Sequence, residues 1–130
     1  MRRVDESPNW AQDVPSSGIH QLFARWVDES PNWERLAPTP FSLVCFRARP
    51  RVEGETEEAR AARLDALNEA IMNNVNATGE IFLSHTRLHD LFTLRLAIGN
   101  IRTTEAHVSR AWELLNEELA RLSALRANLD

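Results

Sequence analysis

The sequence predicts an α+β fold, an antiparallel sheet of about four strands with helices covering one face. Three observations carry that expectation. Hydrophobic spacing alternates between a 3.6-residue and a two-residue period along the chain, strand-like runs lie next to one another in sequence, and helical stretches are segregated from them. Neighbouring strands joined by short turns favour antiparallel pairing. At 130 residues the chain suits one domain with a real hydrophobic core.

Taken in order, a verbatim repeat comes first: Val4-Asp5-Glu6-Ser7-Pro8-Asn9-Trp10 recurs as Val27-Asp28-Glu29-Ser30-Pro31-Asn32-Trp33, 23 residues on. Two copies with unlike flanks are not a solenoid, which stacks several units, so the repeat reads as a local duplication. Residues 1–18 are expected to be an irregular arm and 19–130 the domain. Ile19, Leu22, Phe23, Trp26 and Val27 form the stripe of an amphipathic helix that ends near Ser30-Pro31. A brief strand over Trp33–Ala37 precedes the Pro38-Thr39-Pro40 turn. Phe41–Phe46 is a near-continuous apolar run of strand length, and Arg47-Ala48-Arg49-Pro50 is expected to carry the chain into solvent.

From Thr56 the period returns to 3.6. Glu57 and Glu58 suit the positive end of a helix, Leu64, Leu67, Ile71 and Val75 share its apolar stripe, and Gly79 stops it. Glu80–Ser84 then reads as a strand, and Ser84–Asp90 as a connection. Over Leu91–Ile98 the alternation is clean: Phe92, Leu94, Leu96 and Ile98 point one way, Leu91, Thr93, Arg95 and Ala97 the other. Gly99-Asn100 breaks that strand. Thr103-Thr104-Glu105 starts a last helix with Val108, Ala111, Trp112, Leu115, Leu119 and Leu122 on its buried stripe and a Glu117/Arg121 pair on its surface.

Composition excludes several function classes. A net charge of −4 argues against a nucleic-acid surface, which releases counterions from a basic face. Leu43–Phe46, the longest uninterrupted apolar run, is far too short for a membrane span, and residues 1–8 lack the apolar core of a signal peptide. Cys45 stands alone, so no disulfide forms within the chain and a reducing cytoplasm fits. It lies in an apolar strand and is expected to be a buried structural thiol, not a nucleophile. His85 and His89 are four apart, a metal-binding interval only on a helix, so they read as loop residues; His20 and His107 read as surface residues. Trp26, Trp33 and Trp112 fall where core packing explains them. Arg95 is the anomaly, a cation in mid-strand on the face the helices leave uncovered.

Four stretches in this order, Pro40–Arg47, Leu64–Asn68, Leu94–Asn100 and Thr103–Val108 with Arg110-Ala111-Trp112, resemble the C-terminal small domain of the group II pyridoxal-phosphate-dependent amino-acid decarboxylases, the aromatic L-amino-acid decarboxylase family. The resemblance covers Ile19 to Leu122. It implies a fold type I enzyme whose large domain holds pyridoxal phosphate on a lysine, which acts on an amino acid, and whose homodimer builds the active site. It also implies that the small domain covers that site, with Arg95 matching the arginine that lies near the substrate carboxylate in the family's glutamate-specific branch; a solvent-exposed or interface ion pair is the alternative role for Arg95.

The chain departs from the family at the cofactor lysine. Its 15 basic residues are all arginine, and Ser84-His85-Thr86-Arg87 only approaches the lysine motif. A guanidinium stays protonated and cannot condense with an aldehyde. The expectation is therefore a truncated piece of a decarboxylase, acting on an amino acid that is aromatic, helping to close an active site and not catalytic alone. The competing readings are a non-catalytic α+β interaction or dimerisation module docking through the Thr93/Arg95 face, and a regulatory domain binding a small amino acid there.

Overall fold

The computed structural model describes residues 18–37, 43–98 and 105–129. Outside them lie the arm with the first heptapeptide copy, the Pro38-Thr39-Pro40 turn with Phe41 and Ser42, the Gly99-Asn100 break and the Thr103-Thr104 helix start. The described elements run α1 (Gly18–Glu29), β1 (Trp33–Arg35), β2 (Leu43–Ala48), α2 (Glu57–Ala77), β3 (Ser84–Leu88), β4 (Leu91–Ala97) and α3 (Glu105–Leu129). The strands form one antiparallel sheet in the order β1-β2-β4-β3. The expected α+β architecture is thus observed.

Alternation along the strands decides what the helices cover. Val44, Phe46, Ala48, Phe92, Leu94, Leu96 and Ile98 are buried on one face, where α1 packs against β1 and β2, and α2 against β2 and β4. The third helix closes this layer from outside, seated on α1 and α2 through Val108, Ala111, Leu114, Leu115 and Leu119. An aromatic cluster ties the layers together. Trp112 of α3 lies 5.6 Å from both Phe23 and Trp33, and Phe23 meets Phe46 edge-on at 5.2 Å.

Side-chain amides fix the helix–sheet joints. Thr56 caps α2 by accepting from the Ala59 amide at 3.1 Å, with Glu57 and Glu58 in the first turn. Asn68 is fully buried and satisfies both backbone groups of Ala48, accepting from its N–H at 2.7 Å and donating to its carbonyl at 3.0 Å. Asn76 does the same for Leu83, at 2.7 and 2.9 Å.

Four expectations need correction. The Glu80–Ser84 strand is absent: with Leu83 held by Asn76, residues 81–83 bind α2 instead of the sheet, and Phe82 is exposed. The strand lies one step later, in the supposed connection Ser84–Leu88, which pairs with β4 through the two-residue turn His89-Asp90. Arg47 does not lead into solvent but is buried within β2, and His20 is buried in α1 instead of lying on the surface. Arg121 pairs with Glu118 at 2.7 Å, not with Glu117. A helix has several carboxylates within reach, and rotamer and local packing choose among them.

Candidate functional site

The face that no described helix covers holds the candidate residues. Its residues follow from strand parity: Glu34 on β1, Leu43, Cys45 and Arg47 on β2, Thr93, Arg95 and Ala97 on β4, Ser84 and Thr86 on β3. Arg95 stands in the middle, opposite Cys45 on one side and Ser84 on the other. Its Nε donates to Ser84 Oγ at 3.1 Å. Among the described residues no carboxylate lies within ion-pair distance of it. Arg95 thus stands on the sheet face where strand parity put it.

Cys45 is half-buried on this same face, a correction to its expected place inside the core. Burial pushes its thiol above the ordinary value while the Arg95 charge pulls the other way; burial wins, so the thiolate is disfavoured. Two positions along the same strand, Arg47 donates through Nε to Glu34 Oε2 at 2.6 Å, and Arg49 reaches the other oxygen of that carboxylate at 3.4 Å. Sequence reading missed Arg47 as a member of the face. Its parity with Cys45, across from a glutamate on the neighbouring strand, was the available signal.

The histidines do not assemble a site. His85 stacks on Phe92 with centroids 4.7 Å apart and planes 6° from parallel, and His89 sits in the hairpin turn. Among the described residues no three His, Cys, Asp or Glu side chains come close enough to hold a metal ion. A depression of about 410 Å³ lined by Arg49, Arg51, Glu53, Glu55 and Arg60 lies at the β2–α2 connection, away from Arg95. No described helix is long and apolar enough to cross a membrane.

The open face, its central arginine and the sheet order can be set beside known proteins. No family model matches the chain. The aromatic-L-amino-acid decarboxylase of Catharanthus roseus is 33% identical over 97 residues, 75% of this chain and 18% of that protein. Tryptophan decarboxylase 2 of Oryza sativa subsp. japonica is 44% identical over 87 residues, 67% of this chain and 16% of its relative. The solved structure of Oryza sativa TDC with PLP superposes with a TM-score of 0.73 at 30% identity, covering 88% of this chain and 24% of that one. The chain belongs, in part, to the aromatic L-amino-acid decarboxylase family. Its counterpart there is the C-terminal small domain. This decarboxylase-type small domain spans less than a fifth of the length of the curated relatives just named.

The residues of the small domain do not fit covalent attachment of pyridoxal phosphate. That bond needs a side-chain amine that can lose its proton, and all 15 basic residues are arginine. The nitrogen-bearing groups on the open face, Arg47 and Arg95, are guanidinium cations, suited to receiving an anion.

Proposed function

We propose that this chain serves as the small domain of a pyridoxal-phosphate-dependent decarboxylase of aromatic L-amino acids, closing one side of an active site whose cofactor is held by a large domain. The observation that carries this is a mismatch of coverage. Relatives match 67% and 75% of the chain but only 16% and 18% of themselves, and the chain has no lysine of its own. By this reading residues 19–130 form the domain behind an arm at 1–18. The assembled enzyme is a homodimer working in the cytoplasm, where Cys45 stays reduced.

Arg95 is the residue that meets the substrate. With Ser84 holding one edge of its guanidinium, the remaining donors are available to a carboxylate, and mid-strand placement fixes their direction. Arg95 orients the carboxylate that is to leave; it moves no proton, because its own stays bound at any working pH.

Reconstitution tests this. Oryza sativa tryptophan decarboxylase 2, trimmed of the segment the chain matches, is supplied with the 130-residue chain, pyridoxal phosphate and L-tryptophan. Tryptamine formation is expected with both polypeptides and absent with the chain alone. Steady carbon dioxide release by the pure chain would end this reading.

A further inference from the structure

The connection from β2 into α2 concentrates positive charge. Arg49, Arg51 and Arg60 line the depression of about 410 Å³ there, and Arg63 fixes its frame. Through Nε and Nη2, Arg63 donates to the two carboxylate oxygens of Glu55 at 2.7 and 2.9 Å, and through Nη2 also to the Pro50 carbonyl at 2.9 Å. One guanidinium, on a side chain only 11% exposed, thus ties both ends of the connection. Gly54 makes the turn between them with a φ of 79°, in the left-handed region. Arg63 also uses up the charge of Glu55. The other cations are not spent: among the described residues no carboxylate lies within ion-pair distance of Arg51, Arg60 or Arg126, and Arg49 has only Glu34, at 3.4 Å and shared with Arg47. Arg126, near the end of α3, belongs to this neighbourhood. After the Arg63 hydrogen bonds, its charge and that of Arg60 help to hold the Glu55 carboxyl below its ordinary value, against the opposing pull of burial. Glu53 is the one lining carboxylate left over, since Glu57 and Glu58 complement the start of α2.

We propose that the depression at the β2–α2 connection is a binding site for a small polyanion carrying two phosphoryl groups, gripped by Arg51 and Arg60 with Arg49 and Arg126 at its margins. Planar guanidiniums offer paired N–H donors that match phosphoryl oxygens, and several cations around one hollow call for several negative charges on one compact ligand. A volume of about 410 Å³ is at the small end of ligand cavities. Because the frame is held by Arg63, Glu55 and Gly54, the lining arginines are presented on a fixed turn. The site is separate from Arg95 and needs nothing but this chain, so it stands whether or not the chain serves a decarboxylase.

Calorimetric titration of the full 130-residue chain with pyrophosphate, at an ionic strength held constant with chloride, tests this. Saturable binding with a dissociation constant below about 1 mM is expected. Arg51 and Arg60 are exposed, so changing both, Arg51→Gln with Arg60→Gln, should leave the melting temperature in place and weaken binding about tenfold or more. Val52 is exposed in the same lining, so Val52→Glu should also weaken binding while Val52→Gln does not. Arg110→Gln removes the same charge near the opposite end of α3 and should bind as the wild type does. No saturation by about 10 mM pyrophosphate would overturn the site. Wild-type affinity in both the double variant and Val52→Glu would put the anion elsewhere, and an equal loss in Arg110→Gln would reduce binding to net charge; either result overturns the proposal. Citrate binding as tightly as pyrophosphate would overturn the phosphoryl assignment.

Discussion

Asn68 shows how one residue can carry the joint between two layers. Its amide replaces the strand that Ala48 lacks on that side, and it also donates to Leu64 within its own helix at 2.8 Å. Asn68→Ala would leave the buried Ala48 N–H and carbonyl unpaired, so we expect a loss of about 2–4 kcal/mol, read by urea denaturation. A loss below half a kilocalorie would show that water or a backbone shift replaces the amide. Arg95 should behave in the opposite way. It is half-buried and, among the described residues, its side chain is held through Ser84, so Arg95→Ala should change folding stability by less than about 1 kcal/mol. In the reconstituted enzyme the same change should lower turnover efficiency about 10–100-fold with cofactor loading intact, because a charged hydrogen bond to substrate is lost. Unchanged turnover would make Arg95 structural.

Elements, by contrast, were legible wherever burial imposed a period. The β4 alternation and the α2 stripe are read directly, since each gathers its apolar residues on one buried face, even though Thr93 on the other face of β4 is buried as well. Residues 81–88 were not, because an edge strand with exposed Ser84, His85 and Arg87 has little apolar pattern to read, whereas Ile81–Leu83 imitates one. The hairpin turn beside it carries strain that sequence does not advertise. His89 and Asp90 adopt φ of 52° and 65°, the left-handed region both central residues of such a turn need. Asp90→Gly is expected to stabilise the chain by about 0.5–1 kcal/mol in thermal unfolding; destabilisation would mean that the aspartate side chain contributes more than the strain costs.

Across the molecule, ion pairs set the response to acid. Arg63 holds Glu55, Arg110 holds Glu80, and Arg121, aided by Asn74, holds Glu118, each below the usual carboxylate value of 4.5. A carboxyl depressed in the folded state binds its proton more readily when unfolded. These pairs therefore contribute fully above pH 4.5, and their contribution is lost as pH falls through the depressed values. Melting temperature should be flat just above that pH and decline below it. Glu118→Gln should flatten part of the decline, and an identical curve would remove that pair from the account. The isolated chain also presents Leu43 at 39% and Phe82 at 73% exposure, and self-association with rising concentration is expected in light scattering.

What the sequence determined alone was the plan of a sheet with helices on one face, because periods of 3.6 and 2 are consequences of backbone geometry acting on burial, and the place of Arg95 on the outer face, because parity is local. The absence of a lysine likewise settles, without coordinates, that the cofactor is not held covalently by this chain. Only the tertiary structure decided which strand edges meet, that Asn76 takes Leu83 away from the sheet, and that Arg47 is buried beside Glu34. Those facts depend on contacts between residues distant in sequence, where a polar side chain is placed by the partner it finds and not by its own preference.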